Sequence, residues 1–267
     1  MNIPYTKQAE YFLNNVLVPL ENDEIHFISL SARNKYLTDE ERKKYALNHT
    51  EMFVREIVVK NGVWDYVFRK LEGVLNAKRT KTNLEFPFKA LVVYVNINPS
   101  SAVKAIQQFK RDLAEAEDNV MRKILLNGGT PNAYDFDFFK LAKAKLDNAY
   151  QRNTSRKVFL DIDIDVKDEE VLQKIITPLI ENKAQFLTIE TRGGFHVMVK
   201  SQSIDGNYIY KNIDIARKLA YEKYGKEIEI EFNPNAMVPV PGTLHGFFPV
   251  TIRKDFSVFE GLENASY

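Results

Sequence analysis

A mixed α/β fold of the α+β kind is predicted by two observations. The stretch Lys157 to Val166 opens apolar and then alternates Asp161, Asp163 and Asp165 with Ile162 and Ile164, which is strand periodicity. After it, segments of strand and helix character follow in the order helix, strand, strand, helix, strand. Counted from the acidic strand, that succession is the ferredoxin-like or split βαβ pattern.

Bulk composition narrows the function classes. The chain has 267 residues, 45% apolar and 27% charged, enough for one large core or two closely packed ones. A net charge of +1 gives no overall basic field, so a nucleic-acid surface has to be a local patch. Cysteine is absent, which excludes disulfides, iron–sulfur clusters and thiolate zinc sites. The start of the chain lacks a signal peptide and no apolar run approaches membrane-spanning length. The expectation is a soluble protein of the cytoplasm, or of a host cell's cytoplasm if the source is viral, with no membrane partner.

In chain order, Ala9 to Leu20 has the pattern of a short amphipathic helix and Glu24 to Ser31 alternates as a strand. Thr38-Asp39-Glu40-Glu41 is a capping box, and Tyr45, Met52, Phe53, Ile57 and Val58 supply an apolar stripe for a helix running to about Lys60. A further helix is expected over Val63 to Leu75. Asn76 to Asn83 is a basic connector, either a solvated loop or a phosphate-tracking patch of Lys78, Arg79 and Lys81. Phe88 to Ile97 reads as a buried strand stopped by Asn98-Pro99. Ser100 or Ser101 then caps a helix from Ala102 to about Leu126, a strand-to-helix turn that is either plain or an anion site. Asn127 to Asn132 is a break. Phe136 to Tyr150 is a helix bearing Lys140, Lys143 and Lys145. Beyond the acidic strand, helices are expected over Asp168 to Asn182 and Asn212 to Tyr224, and strands over Phe186 to Glu190, Phe195 to Val199 and Glu227 to Phe232. No further enzyme is expected beyond Val258.

Residues two apart on a strand share a face, so the aspartates project together. Like charges on one face repel, and Asp-x-Asp on a strand suits Mg²⁺ or Mn²⁺ bridging a phosphate. The alternative is a half-solvated edge strand whose acids block aggregation. Arg192-Gly193-Gly194 leads into a strand carrying His196, where the glycines let a backbone approach closely and Arg192 and His196 can grip phosphate oxygens. A lone histidine in an apolar strand is more often a satisfied core residue, and that is the alternative for His196. Pro241-Gly242-Thr243-Leu244-His245-Gly246 is a candidate phosphate cradle or an ordinary proline-rich loop.

Asp161-Ile162-Asp163, Thr191-Arg192-Gly193-Gly194-Phe195-His196 and Pro241-Gly242-Thr243-Leu244-His245-Gly246 stand in an order that resembles the catalytic domain of the archaeo-eukaryotic primase superfamily, over roughly residues 90–252. The resemblance implies a catalytic domain over 84–267, with an N-terminal αβ unit (84–150) packed on an RRM-like unit (151–255); residues 1–83, which the resemblance does not cover, are expected to form a mainly helical extension. It implies a DNA primase or primase-polymerase that transfers nucleotides using two divalent metals, Mg²⁺ or Mn²⁺, with no zinc module. By that likeness Asp161 and Asp163 are the metal-binding acids, and His196, Arg192, Gly193, Gly194 and His245 form the nucleotide pocket. The family's third acid falls near Asn233, so Glu231 is the substitute ligand with Glu229 behind it, and Phe247 stands where a lysine is frequent. The implied partners are a single-stranded DNA template, NTPs or dNTPs, and a separate helicase or replication protein. Two other classes use the same residues: a metal-dependent nuclease or phosphodiesterase, and an inactive single-strand-binding protein.

Overall fold

The computed structural model describes residues 3, 5–75, 86–126, 128, 138–233 and 236–262. The connector at 76–83 with its Lys78, Arg79 and Lys81, most of the break at 127–132, and the side chain of Lys140 lie outside the described residues.

The chain begins with α1 (Lys7–Tyr11), capped by the Thr6 hydroxyl and continued by a wider helical turn over Phe12–Val16. Strand β1 (Glu24–Ala32) follows and is buried along its whole length. The Thr38 capping box forms as its sequence demands: the Thr38 hydroxyl accepts from the Glu41 N–H and the Glu41 carboxylate accepts from the Thr38 N–H. The helix it opens, α2 (Asp39–Tyr45), stops where Ala46 turns left-handed at φ 51°. It does not reach Lys60. Glu51–Val58 is instead β2, paired antiparallel with β1. Val54, Ile57 and Val58 are β-branched and favour a pleated surface, and the neighbouring β1 satisfies their backbone where a lone helix would have had to stand on a weak stripe.

Next come α3 (Trp64–Leu75), β3 (Leu91–Asn96), β4 (Ser100–Ser101), α4 (Ala102–Leu126) and α5 (Phe138–Arg152). The second half contains β5 (Phe159–Ile164), α6 (Glu169–Glu181), β6 (Phe186–Glu190), β7 (Phe195–Lys200), α7 (Gly206–Tyr224) and β8 (Ile230–Asn233). The chain closes with β9 (Met237–Pro239), β10 (Leu244–His245), β11 (Phe248–Pro249) and β12 (Thr251–Ile252).

These strands form two antiparallel sheets. One has the order β2-β1-β3-β9, with β4 also on β1; the other has the order β12-β6-β7-β5-β8. A separate hairpin joins β10 to β11. Because β1 pairs with β2 and, from Ile28 to Ala32, with β3, strands at 24–32 and 51–58 of the expected helical extension are built into the first sheet. After β8 the chain crosses to the first sheet as β9 and returns to the second as β12.

Alternation divides the second sheet into two faces. Ile162, Ile164, Phe195, Val197 and Val199 point to α6 and α7, where Leu172, Ile175, Leu179, Ile209 and Ile213 complete one core. Phe159, Leu187, Ile189 and Met198 point the other way, into a core shared with Ile28, Leu30, Val93 and Val95 of the first sheet. Each such side chain taken fully out of water contributes about 1.5–3 kcal/mol. Asp161 and Asp163 share parity with Phe159, so they face the first sheet.

Two asparagines staple the sheets together. The Asn96 carboxamide oxygen accepts from the Phe27 N–H at 2.8 Å, and its amino group donates to the Asn98 carbonyl at 2.6 Å. The Asn98 side-chain oxygen accepts from the Val158 and Phe159 N–H groups, both at 2.8 Å, while its amino group donates to the Phe159 carbonyl at 2.8 Å. The turn after β3 is therefore no open anion site. At the start of α4 the position is likewise filled, since Asp23 accepts from Ser101 at 2.5 Å and from the Val103 N–H at 3.3 Å.

Asn98→Ala strands the buried N–H groups of Val158 and Phe159. Unfolding in urea is expected to show a loss of about 2–4 kcal/mol, and a loss below about 0.5 kcal/mol would show that water replaces the staple.

Candidate functional site

The acidic strand sits between two partners, and register decides what each aspartate meets. Asp163 lies opposite His196 on β7 and opposite Glu231 on β8. Asp161 lies opposite Met198 and Asn233. The sequence-predicted Asp161, Asp163, His196 and Glu231 thus occupy one patch of one sheet face. Asp165 falls beyond the end of β5, and both its carboxylate oxygens accept from Lys35, at 2.9 and 2.8 Å. The expected set of three facing aspartates is a pair plus an outlier.

Asp161 is 1% exposed. One oxygen meets His196 Nδ1 at 3.0 Å, and the other, Oδ1, has no hydrogen-bond partner. His196 Nε2 lies 3.7 Å from Asp163, whose side chain is 49% exposed. Burial opposes charge on His196, yet the carboxylates of Asp161 and Asp163 outweigh it and raise its pKa to about 9. Burial also pushes the Asp161 carboxyl up, against the pull of His196. Geometry favours the ionised pair, because a protonated Nδ1 donates directly to the carboxylate and each charge offsets the desolvation of the other. His196, expected to meet phosphate, here spends its ring on the acids. Glu229 is pushed up by Glu231 beside it, so negative charge continues along the approach to β8.

The chemistry of this donor set suits a hard divalent cation: carboxylate oxygens, one of them buried and unsatisfied. Among the described residues, however, no three His, Asp or Glu side chains converge on one metal-sized position. The residues that fit such an ion are therefore the pair Asp161 and Asp163, with Glu231 the nearest acid by register.

Glycines 193 and 194 serve the turn between β6 and β7. Neither has a positive φ. A β-carbon at Gly194 would overlap the Ile164 carbonyl oxygen and stand 2.7 Å from the Val166 nitrogen. One at Gly193 would stand 2.8 Å from Asp165 Oδ1. The close approach is to the chain's own acidic strand. Arg192 reaches away from it, donating to the Lys89 carbonyl at 2.7 Å with its guanidinium 4.1 Å from the centre of the Tyr36 ring. That ring and the His245 ring meet in a T-shaped pair, centroids 4.8 Å apart at 88°. His245 is 3% exposed and neither ring nitrogen has a partner. Burial, then Arg33, Arg192, Lys35 and His196, press its pKa down to about 3. It reaches this place because Gly246 takes φ +64° and its N–H donates to the Leu91 carbonyl at 2.6 Å.

Sequence reasoning missed Arg33, Lys35, Tyr36 and Tyr94. They line the opposite wall, where Arg33 donates to the Tyr94 hydroxyl at 2.6 Å. The available signal was slight, two basic residues and a tyrosine just after a buried strand. Compared with protein-family models, curated proteins and solved structures, the chain matches none. Among the described residues no helix is long and apolar enough to cross a membrane.

His196 is held charged by its partners, so the sign of its pH dependence follows. A histidine pKa raised from about 6.5 to about 9 contributes stability that is fully present below about pH 6.5 and is lost as pH rises through about 9. Chemical denaturation between pH 6 and pH 10 is expected to show that decline, and His196→Gln to flatten it. An imidazole titrating near its ordinary value by NMR would refute the ion pair.

Proposed function

We propose that the chain is a DNA-templated nucleotidyltransferase, a primase or primase-polymerase that makes or extends primers. One observation carries the reading: Asp161 and Asp163 face inward from one sheet while Arg33, Lys35, Arg192 and His245 gather on the opposite side. Acids opposed to phosphate-seeking cations suit the transfer of a phosphoryl group, whose catalysis is mostly positioning and electrostatics. Support also comes from strand order. The run β5-α6-β6-β7-α7-β8, ordered β6-β7-β5-β8, is what an RRM-like split βαβ unit requires, and β1, β2, β3 and β9 would form the unit packed against it.

In this reading Asp161 and Asp163 hold Mg²⁺ or Mn²⁺, with Glu231 as the third ligand. When bound, such ions compensate phosphate charge and make a 3′-hydroxyl easier to deprotonate. His196 orients Asp161 through their hydrogen bond and keeps one carboxylate oxygen free. Arg192 and His245 bind the incoming nucleotide's phosphates, and Gly193 and Gly194 let the turn that bears Arg192 close on the acidic strand. Met198, Leu187 and Ile189 exclude water beneath the acids. The partners are a single-stranded DNA template, met through backbone phosphates and stacked bases, NTPs or dNTPs, and a separate helicase or replication protein, in a cytoplasmic setting. A second reading, an inactive single-strand-binding protein, is favoured by Asn233 standing opposite Asp161, where an acid would have served a metal better.

Primer synthesis and extension on a single-stranded template, with NTPs and dNTPs and Mg²⁺ or Mn²⁺, test the proposal. Asp161→Asn/Asp163→Asn is expected to abolish product, and Glu231→Gln to lower the rate by about a hundredfold. Template degradation that needs the same aspartates would assign a nuclease instead. Single-strand binding with neither activity would assign the binding protein.

A further inference from the structure

We propose that the segment Arg33–Tyr36 is part of the substrate site: Arg33 and Lys35 bind the polyphosphate tail of a nucleotide, and Tyr36 is a positioning residue for Arg192 and His245. The proposal deepens, and rests on, the reading of the site as one of nucleotidyl transfer.

Charge balance is the first argument. Arg33 donates to a neutral hydroxyl, that of Tyr94, at 2.6 Å. Arg192 donates to a neutral carbonyl, that of Lys89, at 2.7 Å. Among the described residues neither has a carboxylate within ion-pair distance, and of the three cations only Lys35 is so paired, with Asp165 at 2.8 Å. A guanidinium has five donors in a rigid fork, so each arginine keeps donors to spare. Two guanidiniums therefore stand here without an ion-pair partner of their own.

His245 supplies the second, independent argument. Its ring is 3% exposed and both nitrogens lack partners. Buried polar groups left unsatisfied are rare and ask for an explanation, and an anion seated among these cations provides one. Burial, and after it the neighbouring positive charges, keep the ring neutral, so one nitrogen carries a hydrogen to donate. Tyr36 fixes the arrangement. Its ring packs against the Arg192 guanidinium at 4.1 Å and forms a T-shaped pair with the His245 ring at 4.8 Å, with the Lys35 ammonium 5.6 Å from its centre.

Chemistry selects the ligand. Several cationic donors spread around one neutral imidazole match a group with several charged oxygens. The acids beyond place a cation-binding wall on its other side. A polyphosphate meets both demands, and a nucleic-acid backbone phosphate shares the chemistry but carries a single charge per group.

The test uses the full chain with ¹⁵N-labelled histidine, whose four imidazoles are followed by NMR in EDTA, so that no metal contributes. Inorganic tripolyphosphate is expected to shift the His245 resonances, and Lys35→Ala to weaken that binding about tenfold, while Lys110→Ala on α4 leaves it unchanged. Tyr36→Leu is expected to raise the nucleotide KM with little change in kcat, and Tyr36→Phe to restore it. A folded protein whose His245 ignores tripolyphosphate, or answers only to a single-stranded oligonucleotide, overturns the proposal. So does Lys35→Ala binding as tightly as the parent. Tripolyphosphate binding that depends on Lys35, without primer extension, would keep the subsite and remove the nucleotidyl-transfer reading. Extension with an unchanged KM in both Lys35→Ala and Tyr36→Leu would do the reverse.

Discussion

A carboxylate placed on the inner face of a sheet that packs against another sheet is a constraint that everything near it must satisfy. Asp161 stands in a layer with Phe159, Met198, Leu187 and Ile189 and is 1% exposed. Desolvating it costs several kcal/mol before any partner is counted. His196, directly opposite its neighbour Asp163, is the side chain that recovers part of that cost. Replacing such a buried pair by apolar residues of similar size is often neutral or stabilising. Packing alone therefore gives no reason for Asp161 and His196 to be there. The unsatisfied Oδ1 of Asp161 sharpens the point, because a purely structural ion pair would be expected to use both oxygens.

How much of this was legible depends on whether the information was local. Strict alternation marked β5, and periodic apolar positions marked α3, α4 and α6 closely, whereas α7, expected from Asn212, begins at Gly206 behind the Asp205 cap. The capping box at Thr38 was also legible, but the length of its helix was not. Met52, Phe53, Ile57 and Val58 fit a helical stripe as well as a pleated strand, and only the presence of β1 decides between them. That decision belongs to tertiary structure. The same limit hid the place of β1 in the first sheet, since it was readable as a strand while its pairing with β3 was not.

The site divides along the same line. The acids and His196 lie on strands whose period told which way they faced, so their meeting followed from register. Gly193 and Gly194 were legible as a close approach, although what they approach is the end of β5. Arg33, Lys35 and Tyr36 arrive from the far sheet, and no spacing connects position 33 to position 245. His245 is the intermediate case: the Pro-Gly-Thr-Leu-His-Gly stretch signals a turn, but burial with both ring nitrogens unpartnered is a property of the fold.

The path of the chain explains why the two walls stay in register with each other. After β8 the backbone crosses to the first sheet as β9, turns through the hairpin that carries His245, and returns to the second as β12. Asn96 and Asn98 tie β1 to the start of β5 on the way. Both sheets also bury side chains in one common core, so separating them would expose that core at about 25 cal/mol per Å² of apolar surface. Two sheets held in this way need no hinge to bring their charged groups together. Groups fixed by a shared core keep their orientation without reorganising, which is the condition under which fixed dipoles and ions act most strongly. The two guanidiniums without a carboxylate partner and the unsatisfied oxygen of Asp161 are both held by that one frame.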